Sequence, residues 1–263
     1  MLFRSNAFPI NSHGASRVRR AILLGTPNLG SAKAIRTLLQ GFELGLRGIP
    51  VEVVATFPST YQLLPHPLTD WLIKSDGQPL ERDLFDAELW KRFEFSVFAA
   101  DVQARILAGF DDPETGRAYL DTLERFFARQ LFRARRFVWS LTVPVPDPDV
   151  RYVVFGGDCD LTPARILVEE VDGESVVRLW PDEIARPQSG VDYDTLMLEP
   201  GDGVVTKASL LARQSLDPTV ARHRYSFFPL RYSFFLCESH DRLTGNISFQ
   251  DNLLNALLSA DED

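Results

Sequence analysis

Cysteine is scarce in this chain. Cys159 and Cys237 are all that its 263 positions hold. That is too few for a disulfide framework and lacks the spacing of a metal site, so a reducing compartment is expected. Basic charge is also in deficit: 28 Lys and Arg against 36 Asp and Glu leave a formal net charge of −8. A nucleic-acid binder needs a basic face to neutralise phosphates, so no nucleic-acid partner is expected. The arginine-rich stretch RQLFRARR (129–136) is read as a solvated helix face, with contact to anionic head groups as the alternative. No apolar run reaches the roughly 18 residues of a spanning helix, so no integral membrane segment is expected. The opening MLFRSNAFPINSHGASRVRR lacks the apolar core and small-residue cleavage site of a signal peptide. Internal repeats and low-complexity linkers are missing as well. These absences together describe a soluble cytoplasmic protein.

What is present is globular: 45% hydrophobic and 24% charged residues, enough for one large domain or a domain with a sizeable insertion. Residues 18–25 (VRRAILLG) form a short apolar block closed by Gly-Thr-Pro and predict a buried strand. Ser31 is the expected N-cap of a helix over 32–47, with Ile35, Leu38, Leu39, Phe42 and Leu46 at helical spacing. From 58 to 150 the texture is Pro-rich, aromatic and amphipathic. Its longest stripe, near 117–138, carries Leu120, Leu123, Phe127, Leu131 and Phe132. The segment VPVPDPD (143–149) closes that section in extended form. Strand texture returns with RYVVFGG (151–157) and with RILVEEVDGESVVRLW (165–180), whose central Asp-Gly predicts a hairpin. A tight loop leading into a helix follows at 199–213, then a strand and polar loop at 231–246 and an amphipathic helix at 246–258.

Strands alternating with helices predict an α/β fold, a mostly parallel sheet with helices on both faces. Residues 1–57 and 151–263 would form the core, and 58–150 a helical cap inserted into it. In such sheets ligands lie at the carboxyl ends of the strands, here the loops 25–31, 199–206 and 237–246.

Two of those loops carry titratable candidates. Asp202 sits between two glycines in GDGVV, a pattern that also suits a plain surface turn. His240 follows a strand in ESHDRL, where a solvated surface histidine is the alternative. His13 in a polar entry segment, His66 between two prolines and His223 among arginines are poorer bases. An imidazole acting as general base needs a carboxylate to fix its tautomer, and Asp202 before His240 matches the last two members of the order Ser…Asp…His. Cys159, in GGDCDLTP, follows a strand but reads as a packing thiol rather than a nucleophile.

Four segments, LLGTPNLGS (23–31), PSTYQLLP (58–65), GDGVV (201–205) and SHDRLTGN (239–246), occur in an order that resembles the serine α/β-hydrolases. The likeness is nearest to the lecithin:cholesterol acyltransferase-like lipases and esterases, whose cap the second segment would open. That resemblance implies the C-terminal part of an α/β-hydrolase fold, with Asp202 as triad acid and His240 as base. It further implies that Thr26, Pro27, Asn28 and Tyr61 contact an ester or lipid acyl substrate, with no cofactor and no metal. The aromatic-rich cap would then line an acyl pocket, ordinary core packing being the other reading.

The G-x-S-x-G elbow of such an enzyme is missing from the chain: Ser16 lacks the second glycine and Ser31 lies in the wrong loop. The elbow is expected just before Met1, so that the chain starts inside a hydrolase and is inactive as given. The alternative is a non-catalytic descendant that binds or assembles. Without the nucleophile's strand, the 18–25 strand keeps an open apolar edge, an expected site of self-association.

Overall fold

The protein is described from a computed structural model covering residues 18–44, 47–141, 151–212 and 230–258. In chain order its strands are β1 (Arg20–Leu24), β2 (Phe42–Leu44), β3 (Arg47–Ile49), β4 (Leu72–Lys74), β5 (Arg151–Gly157), β6 (Asp160–Pro163), β7 (Ile166–Val171), β8 (Glu174–Arg178), β9 (Leu198–Gly201) and β10 (Leu230–Leu236). Its helices are α1 (Ala32–Gln40), α2 (Val51–Val54), α3 (Pro58–Gln62), α4 (Ala87–Arg92), α5 (Ala100–Ala108), α6 (Pro113–Leu141), α7 (Tyr193–Met197), α8 (Lys207–Leu210) and α9 (Ile247–Leu258). Candidate residues Ser16, His13 and His223 and the extended segment 143–149 lie outside the described residues.

The chain divides into two compact units. The first comprises the segment up to Leu29, Ser140–Ala164 and the segment from Leu198 onward; the second is Gly30–Trp139 with Arg165–Met197.

The first unit is built on a parallel sheet in the order β1–β5–β10. β5 sits in the middle, and from Tyr152 to Gly157 every residue is buried, as a near-continuous apolar run requires when both faces are covered. Its side chains alternate between two layers. Val153 and Phe155 pack with Phe249 and Ala256 of α9, while Val154 packs with Val205 and Leu210 on the opposite face. Beyond this sheet, β6 pairs antiparallel with β9.

The second unit has its own core, in which α6 is the longest element. Leu120, Leu123, Phe127, Leu131, Ala134 and Val138 form its buried stripe, but Phe132 is 60% exposed. The expected stripe ended wrongly at Phe132 because that residue lies about 100° around the helix from Leu131; the stripe continues through Ala134 instead. The ring of Phe127 is packed edge-on against Tyr61, Trp90 and Phe98 at 5.2, 5.2 and 5.5 Å. The Asp-Gly hairpin forms as expected between β7 and β8, with Asp172 at φ 54° and Gly173 at φ 89°, the signs a type I′ turn needs. This hairpin joins β4 in a separate three-stranded sheet, not the sheet around β5.

The helix expected over 32–47 is shorter. Ser31 caps it, its hydroxyl accepting from the Lys33 N–H, but α1 ends at Gly41, which takes φ 84° and turns the chain into the β2–β3 hairpin. Leu39 and Phe42 continue the helical spacing in sequence, yet the left-handed turn at glycine is the cheaper stop. No described helix is long and apolar enough to cross a membrane.

Candidate active site

The site is assembled at the carboxyl ends of the three parallel strands of the first unit. β1 ends at Leu24 and hands over to Gly25, whose N–H donates to the Phe155 carbonyl at 2.8 Å. Gly25 has φ +51°, and a Cβ there would stand 2.9 Å from Cε1 of His240 and 3.3 Å from Oδ2 of Asp202. The loop then docks on α8. Asn28, 2% exposed, donates from Nδ2 to the Leu210 carbonyl at 2.6 Å, and the Leu29 N–H donates to the Ser209 hydroxyl at 3.1 Å. Thr26 and Pro27 form the half-buried crest between these two anchors.

Asp202 follows β9 at a turn closed by Gly203 at φ +84°. The Gly203 N–H donates to the buried Thr162 hydroxyl of β6 at 2.8 Å, which ties the turn to the neighbouring strand. The Asp202 side chain is 2% exposed and its carboxylate is fully used. Oδ1 accepts from the N–H groups of Val204 and Val205 at 3.0 and 2.7 Å, and Oδ2 meets His240 Nδ1 at 2.8 Å. The Asp202 carbonyl also accepts from the His240 N–H at 2.9 Å. A plain surface turn does not bury its carboxylate this way; two backbone donors fix its plane and leave one oxygen for the imidazole.

His240 lies in the loop after β10. Around it the loop braces itself: Asn246 donates to Glu238 at 3.2 Å, the Ser239 hydroxyl donates to Asp241 at 2.9 Å, and the Arg242 N–H donates to the Ser239 carbonyl. The Ser239 hydroxyl, followed by the Asp241 backbone, holds the Asp241 carboxyl below its ordinary range. The imidazole itself is half-buried, at 38% side-chain exposure. The contact with the carboxylate is made through Nδ1 of the ring.

Two residues expected to stay apart are joined. Cys159, just past β5, and Cys237, just past β10, form a disulfide with 4.9 Å between their Cα atoms across a sequence separation of 78. The expectation of unpaired cysteines is thereby corrected. The spacing in the chain carried no sign of the pairing because it arises from two strand ends that are neighbours only in the sheet. It also removes Cys159 as a nucleophile. Beside it, Lys207 Nζ pairs with Asp158 at 2.6 Å and lies 4.2 Å from the centroid of the Phe235 ring.

Tyr61 belongs to the second unit. It is fully buried there, its hydroxyl donates to the Ala55 carbonyl at 2.6 Å, and burial pushes its phenol well above the ordinary range. His66, between its prolines, is fully buried in the same unit. Its Nδ1 accepts from the Leu68 N–H at 3.1 Å, its ring meets Trp139 edge-on at 4.9 Å, and burial pushes its imidazole down to about 4, the Val138 backbone opposing part of that shift. Of the expected site residues, Asp202, His240 and the Gly25–Asn28 loop therefore converge, and Tyr61 serves a core. The Cys159–Cys237 pair was not anticipated as part of the site. The glycines that end β1 and β5 were the signal for close approach, though not for what approaches.

No protein-family model and no curated protein matches this chain. Among solved structures it is similar to a chain in the crystal structure of the Tle4–Tli4 complex. The TM-score is 0.58 and the identity 14%, over 93% of this chain and 55% of that one. The likeness shows the fold: the α/β architecture expected from the sequence, a parallel sheet with helices. This chain spans about half the length of the chain it matches, 55%. The expected kinship with the lecithin:cholesterol acyltransferase-like group is corrected, since no family is matched and the structural likeness lies elsewhere. Three of its four short motifs, at 23–31, 201–205 and 239–246, report what strand ends of this topology need, glycines at close approaches and polar turns, and such needs are shared well beyond one family.

Proposed function

We propose that Asp202 and His240 are the acid and base of a site that hydrolyses carboxylic esters, working on a nucleophilic hydroxyl carried by a strand paired along β1. His240 Nε2 takes the proton of that hydroxyl as its oxygen bonds to the ester carbonyl carbon. The same proton then passes to the leaving alkoxide, and water releases the acyl group by the same route in reverse roles. Asp202 accepts from Nδ1–H and keeps the ring in place. The observation that carries this reading is the 2.8 Å contact between His240 Nδ1 and a buried carboxylate already fixed by two backbone N–H groups.

Two further observations support parts of it. In the described sheet β1 pairs with β5 and stands at the edge, which leaves Ala21–Leu24 able to accept another strand, from a nucleophile-bearing segment or a second copy of the chain. Taken by itself, the second unit holds a half-open cavity of about 530 Å³ lined by residues such as Trp71, Leu84, Trp90, Phe93 and Val177, apolar enough to bind an acyl chain. The disulfide supports an oxidising compartment over the cytoplasm.

The lack of G-x-S-x-G favours a second reading, a binding protein that retains the dyad without chemistry. A fluorophosphonate probe separates the two. Labelling of a serine in the native protein, abolished by His240→Gln, supports hydrolysis. A native protein that resists the probe while its apolar cavity takes up a fatty acyl ligand supports the binding reading.

A further inference from the structure

We propose that the Cys159–Cys237 disulfide is the positioning element that holds the His240 imidazole on Asp202, so that reducing this one bond separates the pair while the sheet stays folded. The proposal rests on the dyad reading above. Its starting point is where the bond lies. Cys237 is the first residue past β10, and only Glu238 and Ser239 separate it from His240. Cys159 is two positions past the end of β5, the strand that lies between β1 and β10. The bond therefore closes the gap between two strand ends on the edge of the sheet from which the imidazole projects.

Two backbone hydrogen bonds flank that gap. The last ladder contact is the Asp158 N–H donating to the Leu236 carbonyl at 3.2 Å, and the next tie to the body of the unit is the His240 N–H on the Asp202 carbonyl. Between them the loop faces Gly157, where a Cβ would come 2.8 Å from Asp202 Cβ and would also strike the Glu238 carbonyl. Backbone thus lies directly on backbone there. The bonds among Glu238, Ser239, Asp241 and Asn246 keep the loop a single body but do not anchor it to β5. Buried Leu243 and α9, through Phe249 against Phe155 at 5.3 Å, anchor its far end. Released at Cys237, the loop would pivot about α9 and carry His240 off the carboxylate.

Reduction is ordinary thiol–disulfide exchange with a dithiol. One thiolate attacks a sulfur and displaces the other cysteine as thiolate. The second thiol of the reductant then closes a ring and frees the remaining cysteine. Two electrons and two protons pass from the dithiol to the protein.

The test uses the full chain in three states: oxidised, reduced with dithiothreitol, and as the Cys159→Ser/Cys237→Ser variant. Nitrogen-15 and proton spectra follow the His240 Nδ1–H resonance, assigned by its loss in Asp202→Asn, and hydrogen exchange compares the His240 amide with those of Val153 and Val154. The oxidised protein is expected to show the hydrogen-bonded Nδ1–H. Reduction and the double variant should both abolish it and speed His240 exchange at least tenfold, with the β5 amides unchanged. A resonance that survives reduction overturns the proposal. So does equal acceleration in β5, which would make the bond a general brace of the unit. Absence of the resonance in the oxidised protein overturns the dyad reading itself, a distinct result.

Discussion

Gly25 forms the floor under His240: a Cβ at Gly25 would stand 3.0 Å from Nδ1 and 2.9 Å from Cε1 of the imidazole. The end of β1 thus acts on the dyad through space it leaves empty. Gly25→Ala should therefore push the ring from Asp202 and also place an L-residue at φ +51°, at about 1–2 kcal/mol for the conformation alone. The expected outcome is a lower melting temperature together with loss of the Nδ1–H resonance of His240. Retention of that resonance would show that the ring can be seated elsewhere.

Asp202→Asn should keep the turn, since the amide oxygen can still accept from Val204 and Val205. Its NH₂ group would then face Nδ1 and favour the tautomer with the proton on Nε2. The nitrogen-15 shifts of the His240 ring report this directly. In the hydrolysing form of the protein kcat should fall by roughly 10⁴-fold, the scale for a triad left in the wrong tautomer.

His66 makes the second unit acid-sensitive. Its folded pKa of about 4 lies below the ordinary value of 6.5, because burial excludes the charged form. The unfolded chain thus binds more protons between those values. The contribution to stability is complete above pH 6.5 and is lost as pH falls toward 4, by roughly 3 kcal/mol in all. His66→Asn keeps an acceptor for the Leu68 N–H but does not titrate, so urea unfolding curves should lose their pH slope in that window.

Glu169 is a buried carboxylate at 2% exposure with a full set of donors. Burial alone would raise its pKa, but the N–H of Ala185, the Arg178 guanidinium and the N–H of Arg186 outweigh it and hold the carboxyl below its ordinary range. Glu169→Ala strands Arg178 and two backbone donors, and denaturant unfolding should register about 3 kcal/mol of destabilisation.

Phe127→Ala removes the ring shared by Tyr61, Trp90 and Phe98, and should cost about 3–5 kcal/mol. Phe132→Ser on the same helix, at 60% exposure, should stay within about 0.5 kcal/mol of wild type. A paired thermal denaturation series checks both.

Much of this site was readable along the chain because its parts are local. A glycine must end β1 for close approach, an Asp between glycines makes a turn, and a His after a strand falls at the sheet's carboxyl edge. The α/β class followed from the same texture, and so did the Asp172-Gly173 hairpin, since periodicity and turn chemistry act over a few residues. Where neighbours in space decide, the sequence was silent. It placed Phe132 on the buried stripe and continued α1 past Gly41. It read Tyr61 as a substrate contact, whereas packing made it a core residue of the second unit. Cys159 and Cys237 are 78 positions apart, and nothing local distinguishes a free thiol from one whose partner is delivered by the next strand. Composition and short-range pattern determined the strands, the turns and the two titratable candidates. Only the parallel pairing of β5 with β10 decided that the cysteines meet, and only the β9 turn beside them decided that Asp202 is buried against His240, because both depend on distances that no spacing along the chain encodes.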